Sequence, residues 1–515
     1  MTEPTSPSVP EGLPPGGRLR LAGLFIGVVA AAAVLLFTDL DPGNPAATRT
    51  AAIAVLMAAW WITEAVPLAV TALLPIVLFP LLGIQSGKDA CGHYANNVIF
   101  LFIGGFLMAL AMQRWDLHRR IAMRVLRLFG ARPGGIVAGF MAATALLSMG
   151  ISNTATAMMM VPIALAVILD LEQTLGWKRG ARIGTATLLA IAYGSSIGGM
   201  ATLVGTPPNL AFAGILRSTF PEADPVSFGQ WIIFALPLAL AFLVLLWGWL
   251  HFSFLRGEKK EGIQAPPVHK PLGPMGYEEM VVLAACVLLA GLWMFRSDLD
   301  VGVTKIPGWA RLLENPKFVT DGNVAIAIAV LLFLIPSRRP GTRRILEVGV
   351  FSRLPWGIVL LFGGGFALAS GFSASGLSEW VGARLAVAGG LPPVLLVALV
   401  CLVITFLTEM TSNTASAQIL LPVLAALSVQ IGMDPRVLMI AGTLSCSCAF
   451  MLPVATPPNA IIFGTERIST GDMARTGIVL NVVGVVLVTL LTVYWGRVVF
   501  GFSLETLPAW AVLPQ

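Results

Sequence analysis

Ser152-Asn153-Thr154 and Ser412-Asn413-Thr414 place the same three neutral polar side chains, each followed by alanine, at an offset of 260 in an otherwise apolar chain. Ser and Asn are good helix N-caps, and the apolar runs from Ala155 and Ala415 are the helices they would start. A helix opening there presents free backbone N–H groups and the positive end of its dipole, which suits a carboxylate. Carbonyls freed by the turn offer the hard oxygens that small cations require. A second pair of motifs follows, Gly205-Thr206-Pro207-Pro208-Asn209 and Ala455-Thr456-Pro457-Pro458-Asn459, now offset by 250. Two prolines remove N–H donors and clash with the preceding turn, so a helix is expected to be interrupted at each. The carbonyls of Gly205 and Ala455 and the hydroxyls of Thr206 and Thr456 are then left unpaired at depth, where an ion or substrate can be their partner. No Lys or Arg occurs in 133–177, 183–216, 385–435 or 437–466. An anion bound there needs positive charge from elsewhere, and a co-bound cation such as sodium would supply it.

The elements that position these motifs must lie in a membrane. Of 515 residues, 57% are hydrophobic and 11% charged, with mean hydropathy +0.86; soluble domains are about half apolar and about a quarter charged. That excludes a soluble enzyme, a disordered chain and, despite a net charge of +6, a nucleic-acid binder. The four histidines and five cysteines show neither metal-ligand spacing nor a disulfide framework; Cys446 and Cys448 read as small packing residues. Eleven runs reach or approach the roughly 20 residues needed to cross a bilayer: about 21–38, 50–66, 67–84, 97–113, 183–204, 229–255, 277–295, 322–337, 356–374, 437–453 and 474–500. Two further stretches, 134–170 and 391–430, are too long for one span, and each is broken in the middle by a polar cluster. Each reads as two tight spans or as a re-entrant hairpin, since polar backbone at depth needs protein or a water-filled cavity around it. With a cytoplasmic N-terminus, most of the 32 basic residues fall on the inside, as the positive-inside rule requires.

The repeat extends beyond the motifs. Phe102, Gly104, Gly105, Phe106 and Ala109 match Phe362, Gly364, Gly365, Phe366 and Ala369, again 260 apart. The chain therefore divides into a polar tail (1–20), a first span and loop outside the repeats (21–49), a first half (50–255), a cytoplasmic connector (256–276), a second half (277–500) and a C-terminal tail (501–515). An odd number of crossings separates equivalent points, which makes the halves inverted, a plan common to secondary transporters. The glycine pairs read as sites of close helix approach, Met158-Met159-Met160 as packing, and the basic run Arg114 to Arg132 as a topological anchor. Glu64 and Glu409, each beside a threonine, are open to a scaffold or a proton-coupling role.

The strings WITEAVPL (61–68), SNTATAMMMVPIA (152–164), GTPPN (205–209), LTEMTSNTASAQILLPV (407–423) and ATPPN (455–459) closely resemble the divalent anion/sodium symporter (DASS) family of INDY-type sodium/dicarboxylate cotransporters. The resemblance runs over nearly the whole chain beyond the first twenty or so residues. It implies an all-α polytopic membrane protein of eleven transmembrane helices plus two re-entrant hairpins in inverted-topology repeats. A homodimer and elevator-like alternating access come with it. Carried over by motif, one sodium site would use Ser148, Ser152, Asn153 and Gly205, and the other Thr408, Thr411, Asn413 and Ala455. Substrate carboxylates would fall on Ser152, Asn153, Thr154, Ser412, Asn413, Thr414, Thr206 and the Thr456-Pro457 turn. The expected function is sodium-coupled symport of a C4-type dicarboxylate (succinate, malate or fumarate) across the inner, cytoplasmic membrane. No cofactor is expected besides the coupling ions. The rivals are an exchanger of the same fold, citrate or sulfate as substrate, a passive channel, and a lipid-modifying membrane enzyme. The last would need an acid/base or nucleophile constellation that the neutral tips lack.

Overall fold

The computed structural model describes residues 17–130, 132–257, 273–300, 305–385 and 389–511. Residues 1–16, most of the 256–276 connector and 512–515 lie outside the described residues. The chain opens with α1 (Gly17–Phe37) and α2 (Pro45–Thr63), then three short helices, α3 (Leu68–Thr71), α4 (Leu74–Leu81) and α5 (Gly87–Gly92). The first half continues through α6 (Asn97–Arg114), α7 (Leu117–Phe129), α8 (Pro133–Ser148), α9 (Asn153–Leu175), α10 (Trp177–Met200), α11 (Pro207–Thr219) and α12 (Phe228–Leu250). The second half comprises α13 (Tyr277–Met294), α14 (Asp321–Leu334), α15 (Trp356–Ala374), α16 (Leu377–Leu385), α17 (Pro393–Thr408), α18 (Asn413–Gln430), α19 (Pro435–Cys446), α20 (Pro457–Phe463), α21 (Thr470–Leu490) and α22 (Gly496–Phe500). Two-residue strands at Leu299–Asp300 and Lys305–Ile306 pair in the α13–α14 connection.

Among the described residues, nine helices are long and apolar enough to cross a membrane, and five apolar helices are shorter. Three expected spans come out shortened. The run 67–84 splits into α3 and α4, because Pro75 has no N–H to give the Thr71 carbonyl and a new helix starts around it. The run 322–337 yields the 14-residue α14, and 437–453 yields the 12-residue α19 followed by irregular chain.

Both broken stretches fold as helix–tip–helix units. The first is α8 and α9, with α10 packed on both arms; the second is α17 and α18, with α19 packed on both arms. The halves interlock by exchange: α11 packs on α18, and α20 on α9. Matching positions are built alike. Gly104 lets α6 approach the Ala325 backbone of α14, and its mate Gly364 lets α15 approach the Ala72 backbone. Asp116 (φ 55) and Gly376 (φ 72), 260 apart, make the same left-handed corner after α6 and α15. The ends of α12 and α21 both loosen into π turns, His251–Leu255 and Leu491–Trp495. Phe102 and Phe362, mates in the repeat, touch each other edge to face with centroids 5.2 Å apart in the fully buried core. After α22 the chain folds back, so that Trp510 packs on Phe220 and Ala511 is buried.

Candidate functional site

The tips lie at the heads of α9 and α18. Each helix begins at the asparagine itself, two residues before the apolar run, with Ser152 and Ser412 as N-caps. The Ser152 hydroxyl accepts from the Ala155 N–H at 3.4 Å, whereas Ser412 makes no side-chain cap. Ser152, Asn153, Thr154, Ser412, Asn413 and Thr414 are all half-buried, so six polar side chains stay reachable in an apolar surround.

The Thr-Pro-Pro-Asn elements act differently from the sequence expectation. Their prolines start helices, occupying the first turn of α11 and α20, where a missing N–H costs nothing. The interruption lies upstream, at residues 201–206 and 447–456. Two mates hold these irregular segments in shape. Asn209 donates its amide to the carbonyl of Thr202 at 2.8 Å, and Asn459 donates to those of Leu452 at 3.0 Å and Ala449 at 3.2 Å. Thr206 and Thr456 are buried, and Thr456 Oγ1 accepts from the Asn459 N–H, while Pro457 is exposed.

At the first tip, one end of the Asn153 amide meets three oxygens: Ser148 Oγ at 2.6 Å, Ser195 O at 3.1 Å and Gly205 O at 3.3 Å. With the amide nitrogen turned inward it donates to all three. With the oxygen inward, the Ser148 hydroxyl donates to it at 2.6 Å, and Ser195 O and Gly205 O face it with no hydrogen between. The backbone is cut away for this cluster. A Cβ on Gly205 would stand 2.5 Å from Gly199 O and 2.9 Å from Ser148 O, and one on Gly199 would collide with the Asn153 amide. With the Asn153 oxygen inward the set is four hard oxygens, which is donor chemistry that fits sodium. Ser148, Asn153 and Gly205 thus come together. Ser195 and Gly199 join them, and only the 250-residue alignment of Ser195 with Ser445 could have hinted at that.

At the second tip, Thr408 Oγ1 has one proton and two acceptors, Asn413 Oδ1 at 2.7 Å and Cys446 O at 3.0 Å. Its single proton goes to one of them, and the Asn413 amide takes the place here that the Asn153 amide takes at the first tip. Cys446 enters through its carbonyl rather than as packing alone. The buried hydroxyl of Ser447, next to it, has no hydrogen-bond partner among the described residues. The Thr411 hydroxyl is engaged with Leu407 O at 3.0 Å and Ser416 Oγ at 2.6 Å, and the Ala455 N–H with Leu452 O at 3.2 Å.

The two tips are tied to their irregular segments by unlike chemistry. In the first half, Thr202 Oγ1 donates to Met149 O at 2.5 Å and accepts from the Gly205 N–H at 3.0 Å. In the second, the buried Glu409 carboxylate accepts the N–H groups of Phe450 (2.7 Å), Met451 (2.8 Å) and Leu452 (3.0 Å), and the Asn481 amide at 2.8 Å. Those four donors give Glu409 a scaffold role. Glu64, exposed in a left-handed conformation 3.8 Å from Arg20, belongs to the surface.

A helical membrane chain with two matched, oxygen-rich hairpin tips that hold no Lys or Arg has the plan of a multi-pass transporter. A model of the family described as the sodium:sulfate symporter transmembrane region matches residues 19–502, and the chain belongs to that family, the divalent anion/sodium symporters. It is 39% identical over 496 residues to the sodium-dependent dicarboxylate transporter SdcS of Staphylococcus saprophyticus, covering 94% of this chain and 93% of that one. It is 40% identical over 495 residues to SdcS of Staphylococcus aureus, with the same coverage. Two solved structures share the fold. The Alcanivorax borkumensis YdaH transporter has TM-score 0.56 and 17% identity over 83% of this chain and 89% of that one. Neisseria gonorrhoeae MtrF, described within a class of antimetabolite efflux pumps, has TM-score 0.54 and 14% identity over 94% and 96%.

Proposed function

We propose that this protein is a sodium-coupled symporter that carries C4-type dicarboxylates such as succinate, malate or fumarate across the cytoplasmic membrane. The carrying observation is the convergence of Ser148 Oγ, the Asn153 amide, Ser195 O and Gly205 O at a tip whose helices hold no Lys or Arg. Sodium ions at Ser148/Asn153/Gly205 and at Thr408/Asn413, with Ser195 O and Cys446 O added, supply the charge that a dianion needs. The dianion then spans the two tips, taking the hydroxyls and amides of Ser152, Asn153, Thr154, Ser412, Asn413 and Thr414, with Thr206 and Thr456 beneath. The SdcS relatives support both sodium and dicarboxylate.

The topology that goes with this reading is eleven spans and two re-entrant hairpins in inverted halves, with the N-terminus in the cytoplasm and two copies forming a homodimer. The exchanged packing of α11 on α18 and α20 on α9, and the contact between the mates Phe102 and Phe362, support a two-fold relation between halves. Unequal burial of equivalent hairpin residues supports an elevator-like movement between two end states. Uptake of labelled succinate into proteoliposomes, with and without an inward sodium gradient, tests the proposal. Gradient-driven accumulation is the expected result, and sodium-independent counterflow would identify an exchanger instead. Competition by citrate and by sulfate separates the remaining substrates, sulfate being the one in the family's description.

A further inference from the structure

The two hairpins carry equivalent residues in the same order but are buried differently. On α18, Gln418 is fully buried against α15, where a Cβ on Gly365 would collide with its amide, and Pro422 one turn further is buried as well. Their mates on α9, Met158 and Pro162, are both exposed, Met158 at 58%. This face of α18 is packed on α15, and the matching face of α9 is open.

The gap left beside α9 is a cavity of about 430 Å³ between that helix, the end of α8 and α7. Its walls are mostly apolar, with Leu147, Met158 and Pro162 among them, and its polar side is His118 and Arg119 of α7. The neighbouring Arg120 anchors α7, bonding the Glu279 carboxylate at 2.7 Å and Gly273 O at 2.8 Å. Arg119 is exposed and has no ion-pair or hydrogen-bond partner among the described residues. One His118 ring nitrogen, Nδ1, stands 3.0 Å from Met112 O, which leaves Nε2 outside that contact. Met158 follows Asn153 by five residues, about 7.5 Å along the helix, and Leu147 adjoins Ser148. The cavity therefore reaches to within about a turn and a half of the amide that heads α9.

We propose that this cleft is a second anion site, in which Arg119 binds one carboxylate of the small dianion as it passes between the tips and the α7 face. The inference rests on the reading of the chain as a dicarboxylate transporter. A guanidinium matches a carboxylate bidentately, and flexible methionine walls adapt to the methylene part of a passing solute. Arg119 supplies the fixed positive charge that the tips lack. Docking of α9, in the manner already adopted by α18, would close the cleft, so the site belongs to one end of the transport cycle and to one face of the membrane.

The test uses the full chain in vesicles, with labelled succinate offered from each face in turn, in zwitterionic lipid and again with anionic lipid added. Arg119→Gln should raise the succinate KM at the α7 face about fivefold and change the opposite-face KM less than twofold, and Arg119→Lys should recover part of the loss. The opposite-face KM also reports that the variant is folded. Equal changes at both faces, or no change at either, overturn the site. An effect confined to anionic vesicles also overturns it and assigns Arg119 to a lipid headgroup. Failure of the wild type to take up succinate from either face sinks the transport reading, and this site with it.

Discussion

Gly205→Ala isolates the proposed cation site from the rest of the molecule. The added Cβ would lie 2.5 Å from Gly199 O and 2.9 Å from Ser148 O, and Cβ atoms essentially never approach other heavy atoms below 3.0 Å. Both neighbours are backbone, so neither can swing aside as a side chain would. The irregular 201–206 segment must move, opening the ring formed by Ser148 Oγ, the Asn153 amide, Ser195 O and Gly205 O. Overpacking of this kind costs about 1–3 kcal/mol. At about 1.4 kcal/mol per tenfold, the sodium concentration for half-maximal uptake should rise roughly 5- to 150-fold. The assay is initial uptake of labelled succinate into proteoliposomes against external sodium, with activity recovering at saturating sodium. Gly291→Ala, where an added Cβ meets nothing within 4 Å, is the control and should leave the sodium curve in place. A folded Gly205→Ala protein with the wild-type sodium curve would refute the assignment of these oxygens to a cation.

Asn153→Asp and Asn413→Asp put a negative charge at the carboxylate end of each tip and should each lower succinate kcat/KM at least about tenfold, the equivalent of about 1.4 kcal/mol; wild-type kinetics in either would count against the substrate site. Glu409→Ala leaves three backbone N–H groups and the Asn481 amide unpaired in a buried segment. At about 1–3 kcal/mol each, the loss should reach at least about 4 kcal/mol in detergent unfolding, with Glu409→Gln, which retains an acceptor, clearly milder. Glu347, in the loop before α15, accepts the Arg343 N–H and pairs with Arg114 at 2.9 Å, and these partners hold its carboxyl below the usual carboxylate range. Its contribution to stability is therefore complete above the ordinary carboxylate titration and is lost as pH falls through the depressed value. Melting temperature against pH should show an acid limb that Glu347→Gln shallows, and an unchanged limb would discount the pair.

The polar contacts at the two tips were legible because the sequence states them twice. Ser148 and Thr408, Asn153 and Asn413, and Gly104 and Gly364 are the same residue or the same kind at one offset, and each makes a matching contact in both halves. Legibility ends where the halves differ or where the backbone acts alone. The first tip is tied down by Thr202 and the second by Glu409, unlike residues that no repeat search pairs. Ser195 and Cys446 contribute carbonyl oxygens, which every residue possesses, so residue type carries no trace of the role. The prolines looked like helix breakers and proved to be helix starters, since one ring suits a first turn and disrupts an interior one.

Composition and spacing by themselves determined that the chain lives in a bilayer, that it is built twice over, and that its polar tips hold no fixed positive charge. These are properties of residue type and order, and they survive any folding. The tertiary structure alone decided which oxygens meet around Asn153, that α11 and α20 cross into the opposite half, and that the Gln418 face of α18 is packed on α15 while the matching Met158 face of α9 is open. Those outcomes depend on where irregular backbone runs and on which packed surfaces face each other, and both arise only from contacts between residues far apart in the chain.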